Sequence, residues 1–173
     1  EEFSKYGIEY SFTSGWNADA FEAEIKANTK VIYIETPSNP LLTITDLEAI
    51  AALAKKHGLI TMIDNTFASP VNQNPTDFGI DIVIHSATKY MGGHSDICAG
   101  AVASTTENMD RIFQLAKNFG GSLSDYTVWL LERSMKTMGI RVKAQNENAL
   151  AMAIFLDGLE EVEKVYYPGL PTH

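Results

Sequence analysis

Cysteine is nearly absent from this sequence, with Cys98 alone among 173 residues. One cysteine cannot form an internal disulfide, so a disulfide framework is excluded, and a reducing compartment, the cytoplasm, is the expected location. Basic residues are also few: 13 Lys and Arg against 22 Asp and Glu give a formal net charge of −9. This balance argues against nucleic acid or an anionic membrane as a partner. The sequence shows no apolar run of bilayer-spanning length and no signal-peptide pattern.

The remaining composition is that of a globular domain. Hydrophobic residues make up 45% and charged residues 20% of the chain, and 173 residues are enough for one domain with a substantial core. The chain begins with EEFSKYG rather than methionine, so we expect it to be part of something longer. Cys98 lies in the small-residue stretch DICAGA and is predicted to be a buried packing residue.

Strand and helix patterns alternate along the first 105 residues. The run VIYIE (31–35) predicts a strand, and TDLEAIAALAKKHG predicts a helix with a capping box of Thr45 and Glu48 and with Gly58 at its end. LITMID (59–64) is almost wholly apolar, which is typical of a strand covered on both faces. After the loop NTFASPVNQNPTDFG, strands are predicted at IDIVIHS and GAVAST. This order predicts an α/β fold with a mostly parallel sheet.

From Thr106 onwards the pattern is helical. A first helix is predicted to turn Met109, Ile112, Phe113 and Ala116 inward, and two more segments continue with Gly139 as a possible break. Segment 123–157 is apolar over a wide arc, so it must be buried either within the protein or against another subunit. Near the N-terminus, NADAFEAEIKAN predicts a solvated helix whose inward residues are Phe21 and Ile25.

Three predicted strands end in polar motifs: ETPSNP (35–40), DNTF (64–67) and HSATKY (85–90). Ligands of open α/β sheets bind outside the carboxyl ends of strands. We therefore expect one pocket to be surrounded by five side chains: Asn39, Asp64, Ser86, Thr88 and Lys89.

Each of these residues also has a purely structural interpretation. Asp64 is suited to cap a turn, Ser86 and Thr88 to cap a short helix, and Lys89 to reach solvent. Their occurrence at three successive strand ends is what favours a site. A metal site built from His85, His94 and Asp96 is not favoured, because no three-ligand spacing on one element supports zinc.

The chemistry of the five side chains points to one cofactor. A lysine amine forms a Schiff base with an aldehyde, and a carboxylate opposite a pyridine nitrogen keeps that nitrogen protonated, so that the ring acts as an electron sink. Hydroxyl groups beside a glycine-containing turn suit a phosphate. Together these groups describe a site for pyridoxal 5′-phosphate (PLP).

The segments ETPSNP, DNTFASP and HSATKYMGGHSDICAGA resemble the signatures of the Cys/Met-metabolism family of PLP enzymes. This family includes cystathionine γ-synthase, cystathionine γ-lyase and β-lyase, methionine γ-lyase and O-acetylhomoserine sulfhydrylase. LLERSMKTMGIRVKAQNENA and VYYPGLPTH resemble later family segments, so the likeness covers nearly the whole chain. The resemblance implies the PLP-dependent transferase fold of type I, similar to aspartate aminotransferase.

The resemblance also implies roles for individual residues. Lys89 is expected to bind the cofactor covalently and, once released, to shuttle protons, and Asp64 to pair with the pyridinium nitrogen. Ser86 and Thr88 are expected to hold the phosphate. Asn39 is expected near the phenolic oxygen of the cofactor and the carboxylate of an amino-acid substrate, and the resemblance places Thr66 beside the ring.

Family members are considerably longer than this chain, so residues 1–173 are expected to be part of the large PLP-binding domain. The resemblance implies a homotetramer of two close dimers, and a fragment that is inactive alone. Two classes of function stay open: a PLP-dependent lyase or transferase acting on sulfur amino acids or homoserine esters, and a non-catalytic α/β scaffold with an inherited signature. It also stays open whether the reaction is elimination or replacement, and whether it takes place at the γ or the β carbon of the substrate.

Overall fold

A single four-stranded sheet forms the centre of the computed structural model, which describes residues 2–173. Its strands are β1 (Val31–Glu35), β2 (Ile60–Asp64), β3 (Ile82–Ser86) and β4 (Gly100–Ser104). They lie side by side in chain order, with β1, β2 and β3 parallel and β4 antiparallel to β3. The predicted α/β fold with a mostly parallel sheet is therefore confirmed.

Helices connect and flank these strands. They are α1 (Ala18–Ala23), α2 (Leu47–His57), α3 (Ser69–Asn72), α4 (Thr106–Phe119), α5 (Asp125–Met135) and α6 (Met138–Asp157), with 3₁₀ turns at Phe3–Tyr6 and Pro75–Phe78. Within the range 2–173, none of the helices combines the length and the apolar character that crossing a bilayer requires.

The core lies between one face of the sheet and helix α2. Its buried members are Ile32, Ile34, Leu47, Ile50, Leu53, Ala54, Ile63, Ile80 and Val83. The side chains of a strand alternate between faces, so Ile32 and Ile34 of β1 both point toward α2. Phe21 and Ile25 pack against the edge of this cluster, as the N-terminal helix pattern predicts. Each fully buried aliphatic side chain stabilises such a core by about 1.5–3 kcal/mol.

The opposite face of the sheet is open at β1 and at Ile60 within the described part of the chain, whereas Ile82 on the same face is buried. Val31, Tyr33 and Ile60 are 42%, 54% and 36% exposed. The expectation that segment 59–64 is covered on both faces is met only in part within residues 2–173, because Ile60 is exposed while Met62 is half-buried. Asp64 pairs with Glu35 in register, two residues beyond the Tyr33–Met62 pair, so it lies on this open face.

The N-terminus of α2 differs from its prediction by one residue. Asp46, not Thr45, is the N-cap, and its carboxylate accepts a 3.0 Å hydrogen bond from the amide of Ala49. The amide of Thr45 instead donates to the Thr36 hydroxyl at 2.9 Å, which fixes Thr45 outside the helix. Gly58 ends the helix with φ +65°, as predicted.

Four other local predictions are wrong. The segment between β2 and β3, predicted as a loop, contains helix α3 and a 3₁₀ turn. The helical break predicted near Gly139 falls earlier, between the end of α5 and the start of α6. Phe113 is 62% exposed because nothing in the range 2–173 covers that side of α4. Cys98 is exposed rather than buried, because it lies in the open turn before β4.

Candidate functional site

Three of the predicted site residues are joined by hydrogen bonds at the carboxyl end of the sheet. Asp64 ends β2 and Ser86 ends β3. The amide of Thr66 donates to Oδ1 of Asp64 at 2.9 Å, and the Thr66 hydroxyl accepts from the amide of Ser86 at 2.7 Å. Thr66 therefore fixes the ends of two parallel strands relative to each other. No residue of the range 2–173 donates a hydrogen bond to Oδ2 of Asp64.

Lys89 follows in a tight turn after β3. Its amide donates to the carbonyl of Ser86 at 3.0 Å, and its carbonyl accepts from the amide of Gly93 at 2.6 Å. The Lys89 side chain is exposed, and its amine has no hydrogen-bond or ion-pair partner in the described part of the chain. The main chain is thus fixed on both sides of the residue, while the amine is free to bind a ligand.

Thr88 and Ser86 differ in how their hydroxyls are used. The Thr88 hydroxyl accepts from the amide of Ala99 at 2.9 Å and donates to the carbonyl of Ala99 at 3.2 Å, so its only proton is engaged. This pairing closes the base of the loop that carries Lys89. Holding a phosphate would require the Thr88 proton to leave Ala99, whereas the Ser86 hydroxyl has no partner among residues 2–173.

Asn39 lies at the same edge of the sheet but is not bonded to the others. It follows β1, its side chain is exposed, and its amide donates to Oε1 of Glu35 at 3.1 Å. Glu35 and Asp64 are register partners, so the loop of Asn39 leaves the sheet beside Asp64. Within the described range, no hydrogen bond joins the Asn39 side chain to the other five residues.

A buried amide network beneath these loops was not predicted. Asn65 is fully buried. Its side chain donates to the main-chain carbonyl of Gln73 at 2.9 Å and accepts from the side-chain amide of Gln73 at 2.8 Å. The same side-chain amide of Gln73 donates to the carbonyl of Thr36 at 3.1 Å. Gln73 therefore ties the loop after β1 to the loop after β2. The sequence offers one weak signal, a polar Asn65 directly after a buried strand.

His85 of β3 is buried beside the carboxyl end of β2. Burial lowers the pKa of its imidazole below the ordinary value of 6.5, although the charge of Asp64 and the carbonyl of Asn65 oppose this shift. On the open face, burial and the charges of Asp64 and Glu35 raise the pKa of Tyr33. The charge at the ends of β1 and β2 thus adds to the effect of burial at Tyr33 and opposes it at His85.

The lowered pKa of His85 predicts a pH-dependent stability. Folding favours the neutral imidazole, so this contribution is present above pH 6.5 and is lost as the pH falls through 6.5 towards the lower folded-state pKa. We expect the free energy of unfolding of the full-length protein to fall between pH 7 and pH 5, and to fall less in His85→Gln. Urea denaturation at a series of pH values measures both. Equal slopes in the two proteins would contradict the assignment.

A cleft of about 800 Å³ lies beside the site, between the loop at 37–42, helix α6 and residues 167–169. Phe67 and Tyr90, the neighbours of Thr66 and Lys89, line it together with Asn146. None of the six predicted residues lines this cleft. It adjoins the candidate site without being part of it.

The two histidines that were considered as metal ligands differ in burial and in hydrogen bonding. His85 is buried on β3, whereas His94 is exposed and its Nδ1 lies 2.8 Å from the carbonyl oxygen of Gly92. In the portion of the chain that the structure describes, no three His, Cys, Asp or Glu side chains are grouped so as to hold a metal ion.

Comparison with known proteins gives consistent results. The family model described as "Cys/Met metabolism PLP-dependent enzyme" matches residues 1–173. A cystathionine beta-lyase of Lactococcus lactis subsp. cremoris is 46% identical over 98% of this chain and 45% of its own length. A probable cystathionine gamma-synthase of Herpetosiphon aurantiacus is 43% identical over 98% of this chain and 54% of its own length.

The fold is also that of a solved relative. The crystal structure of cystathionine gamma-lyase from Lactobacillus plantarum, complexed with L-serine, superposes with a TM-score of 0.95 at 44% identity. The match covers 99% of this chain and 45% of that chain. The chain thus spans about half the length of the relatives that it matches, and the predicted fold of the cystathionine enzymes is confirmed.

Proposed function

Because the chain belongs to the Cys/Met metabolism family of PLP-dependent enzymes, we propose that the whole protein is a trans-sulfuration enzyme. Its substrates are sulfur amino acids or homoserine esters, and its reaction is γ-elimination or γ-replacement. The observation that carries this proposal is the grouping of Asp64, Ser86 and Lys89 at one sheet edge, each with an atom free for a ligand. The alternative of a non-catalytic scaffold gains no support, since the relatives are named as synthases and lyases.

The residues present fit PLP in kind and in availability. Oδ2 of Asp64, the Ser86 hydroxyl and the Lys89 amine have no partners within residues 2–173, and they match a pyridinium N–H, a phosphate and an aldehyde. The single proton of Thr88 is already engaged by Ala99, so Thr88 is the least prepared of the phosphate-binding candidates. PLP, when bound, supplies an electron sink for the electrons of the Cα–H bond.

Each side chain then has a task set by its chemistry. Oδ2 of Asp64 accepts a charge-assisted hydrogen bond from the ring nitrogen and keeps it protonated, while the Thr66 amide holds Oδ1 in place. The Lys89 amine binds the cofactor and later moves protons at the substrate. Ser86 and Thr88 bind the phosphate, Asn39 binds the substrate carboxylate, and Thr66 lines the ring.

The rest of the proposal concerns the whole protein. Residues 1–173 contribute to the large cofactor-binding domain, and the enzyme works in the cytoplasm. The support is the family match over the whole length of the chain.

The test uses the full-length protein in two steps. Borohydride reduction followed by peptide mapping is expected to find a pyridoxyl adduct on Lys89. Incubation with a thioether amino acid then reports elimination as ammonia and a 2-oxo acid, and incubation with an O-acylhomoserine and a thiol reports replacement. An adduct on another lysine, or none, would contradict the proposed site. An adduct without either turnover would contradict the proposed reaction.

We further propose that the full-length enzyme is a homotetramer. Helices α5 and α6 expose Trp129 at 54%, Ile154 at 58% and Phe155 at 62%, which is a larger apolar surface than a helix normally leaves in water. Multi-angle light scattering is expected to give four times the mass of one chain. A monodisperse monomer with full turnover would instead mean that another part of the same chain covers these helices.

A further inference from the structure

The guanidinium of Arg141 joins helix α6 to the loop that carries Lys89. Its Nη1 donates to the carbonyl of Tyr90 at 3.0 Å, and its Nη2 lies 3.4 Å from the carbonyl of Met91. These carbonyls belong to the two residues that directly follow Lys89. Arg141 therefore contacts the main chain within two residues of the proposed cofactor-binding amine.

The same guanidinium is anchored at the end of helix α5. Nη2 also donates to the carbonyl of Ser134 at 3.0 Å, and Nε donates to the Thr137 hydroxyl at 3.1 Å. Ser134 is buried, and the last carbonyls of a helix lack amide partners and form the negative end of its dipole. No carboxylate in the range 2–173 pairs with Arg141. The guanidinium is thus held by the α5–α6 junction and directed at the loop.

Gly93 makes room for this contact. Its φ is +78°, and a Cβ built on it would overlap Nη1 of Arg141. The amide of Gly93 also donates to the carbonyl of Lys89 at 2.6 Å. A side chain at position 93 would therefore push the guanidinium away from the loop, in addition to straining the backbone.

We propose that Arg141 is a positioning residue for Lys89, because it fixes the main chain of residues 90 and 91 to the α5–α6 junction. The loop is then ordered before the cofactor arrives, and Nζ of Lys89 starts from a defined main-chain position. Only the link to Lys89 chemistry rests on the proposed function, since the contacts of Arg141 exist without it.

The first measurement needs no cofactor. In the cofactor-free full-length protein, Arg141→Gln is expected to speed hydrogen exchange of the Gly92 and Gly93 amides about tenfold, or ~1.4 kcal/mol. That is the scale of losing hydrogen bonds to a charged group. Strand β2 serves as the internal reference and should be unchanged. Unchanged exchange at Gly92 and Gly93 would overturn the proposal.

The second measurement follows the appearance of the borohydride-stable adduct on Lys89 after PLP is added. Arg141→Gln is expected to slow it about tenfold, while affinity for pyridoxamine phosphate, which has no aldehyde, stays within about twofold. Arg141→Lys, which keeps the charge but not the fork of donors, should be intermediate. A wild-type protein without adduct would refute the proposed function, whereas equal rates in wild type and Arg141→Gln would refute the positioning role.

Two glycine variants keep the proposal testable if Arg141→Gln itself disturbs the fold. Gly93→Ala is expected to reproduce the faster exchange and slower adduct formation. Gly120→Ala carries the same strain at φ +77°, but its Cβ would meet nothing within 4 Å. If both alanine variants behave alike, the contact between position 93 and Arg141 has no special role and the proposal fails.

Discussion

Replacing Lys89 by alanine in the full-length protein should lower turnover by at least about 10³-fold, because in the proposed site one amine both binds the cofactor and moves protons. The borohydride-stable adduct should disappear, while some PLP stays bound through its phosphate. Lys89 is exposed and its side chain has no partner in the described range, so stability should change little. Steady-state kinetics measures the loss of turnover, and the visible absorption of the bound cofactor reports whether the covalent link is present.

Lys117→Ala is the matched control for Lys89→Ala. Lys117 is an exposed lysine on helix α4 and lies far along the chain from the strand ends. Its removal should leave turnover and the adduct unchanged. If Lys89→Ala retained an adduct and normal turnover, another amine would have to be the cofactor-binding group.

Asp64→Asn should slow α-proton exchange by about 10²-fold or more, since a missing charge at a reacting centre costs several kcal/mol. Asparagine keeps an oxygen that can accept from the Thr66 amide, so the local hydrogen bond at Oδ1 is preserved. What is lost is the charge at Oδ2. Cofactor binding should therefore weaken far less than proton exchange slows.

Exchange of the substrate α-proton with deuterium, followed by NMR, separates these two effects. Asp77→Asn is the matched control, because Asp77 is an exposed carboxylate on the 3₁₀ turn before β3. Equal exchange rates in wild type and Asp64→Asn would rule out the proposed role of Asp64.

Strong local patterns made most of the fold predictable. The strand runs at 31–35 and 59–64 lie within one residue of β1 and β2, because apolar β-branched runs bounded by turn residues have few alternatives. The N-cap of α2 shows where such patterns fail. Thr45 and Asp46 can both cap, and the choice is made by Thr36, a residue that directly follows β1 and is nine positions away along the chain.

The candidate site was predictable as a set of residues but not as a set of contacts. Strand ends and motif chemistry selected Asp64, Ser86 and Lys89. The engagement of Thr88 by Ala99 joins residues eleven positions apart, and no local pattern encodes it. Arg141 reaches the Lys89 loop from fifty residues away along the chain, so it was visible only once the helices had been placed.

The side-chain amide of Gln73 links the loop that follows β1 to the loop that follows β2. Because this group donates both to the carbonyl of Thr36 and to Oδ1 of Asn65, the segments that carry Asn39 and Asp64 are tied to each other. Buried polar networks of this kind are worth more together than as separate pairs. In the proposed site, a substrate group that contacts Asn39 would therefore act on the same support as Asp64, so that substrate recognition and cofactor reactivity would depend on one set of buried hydrogen bonds.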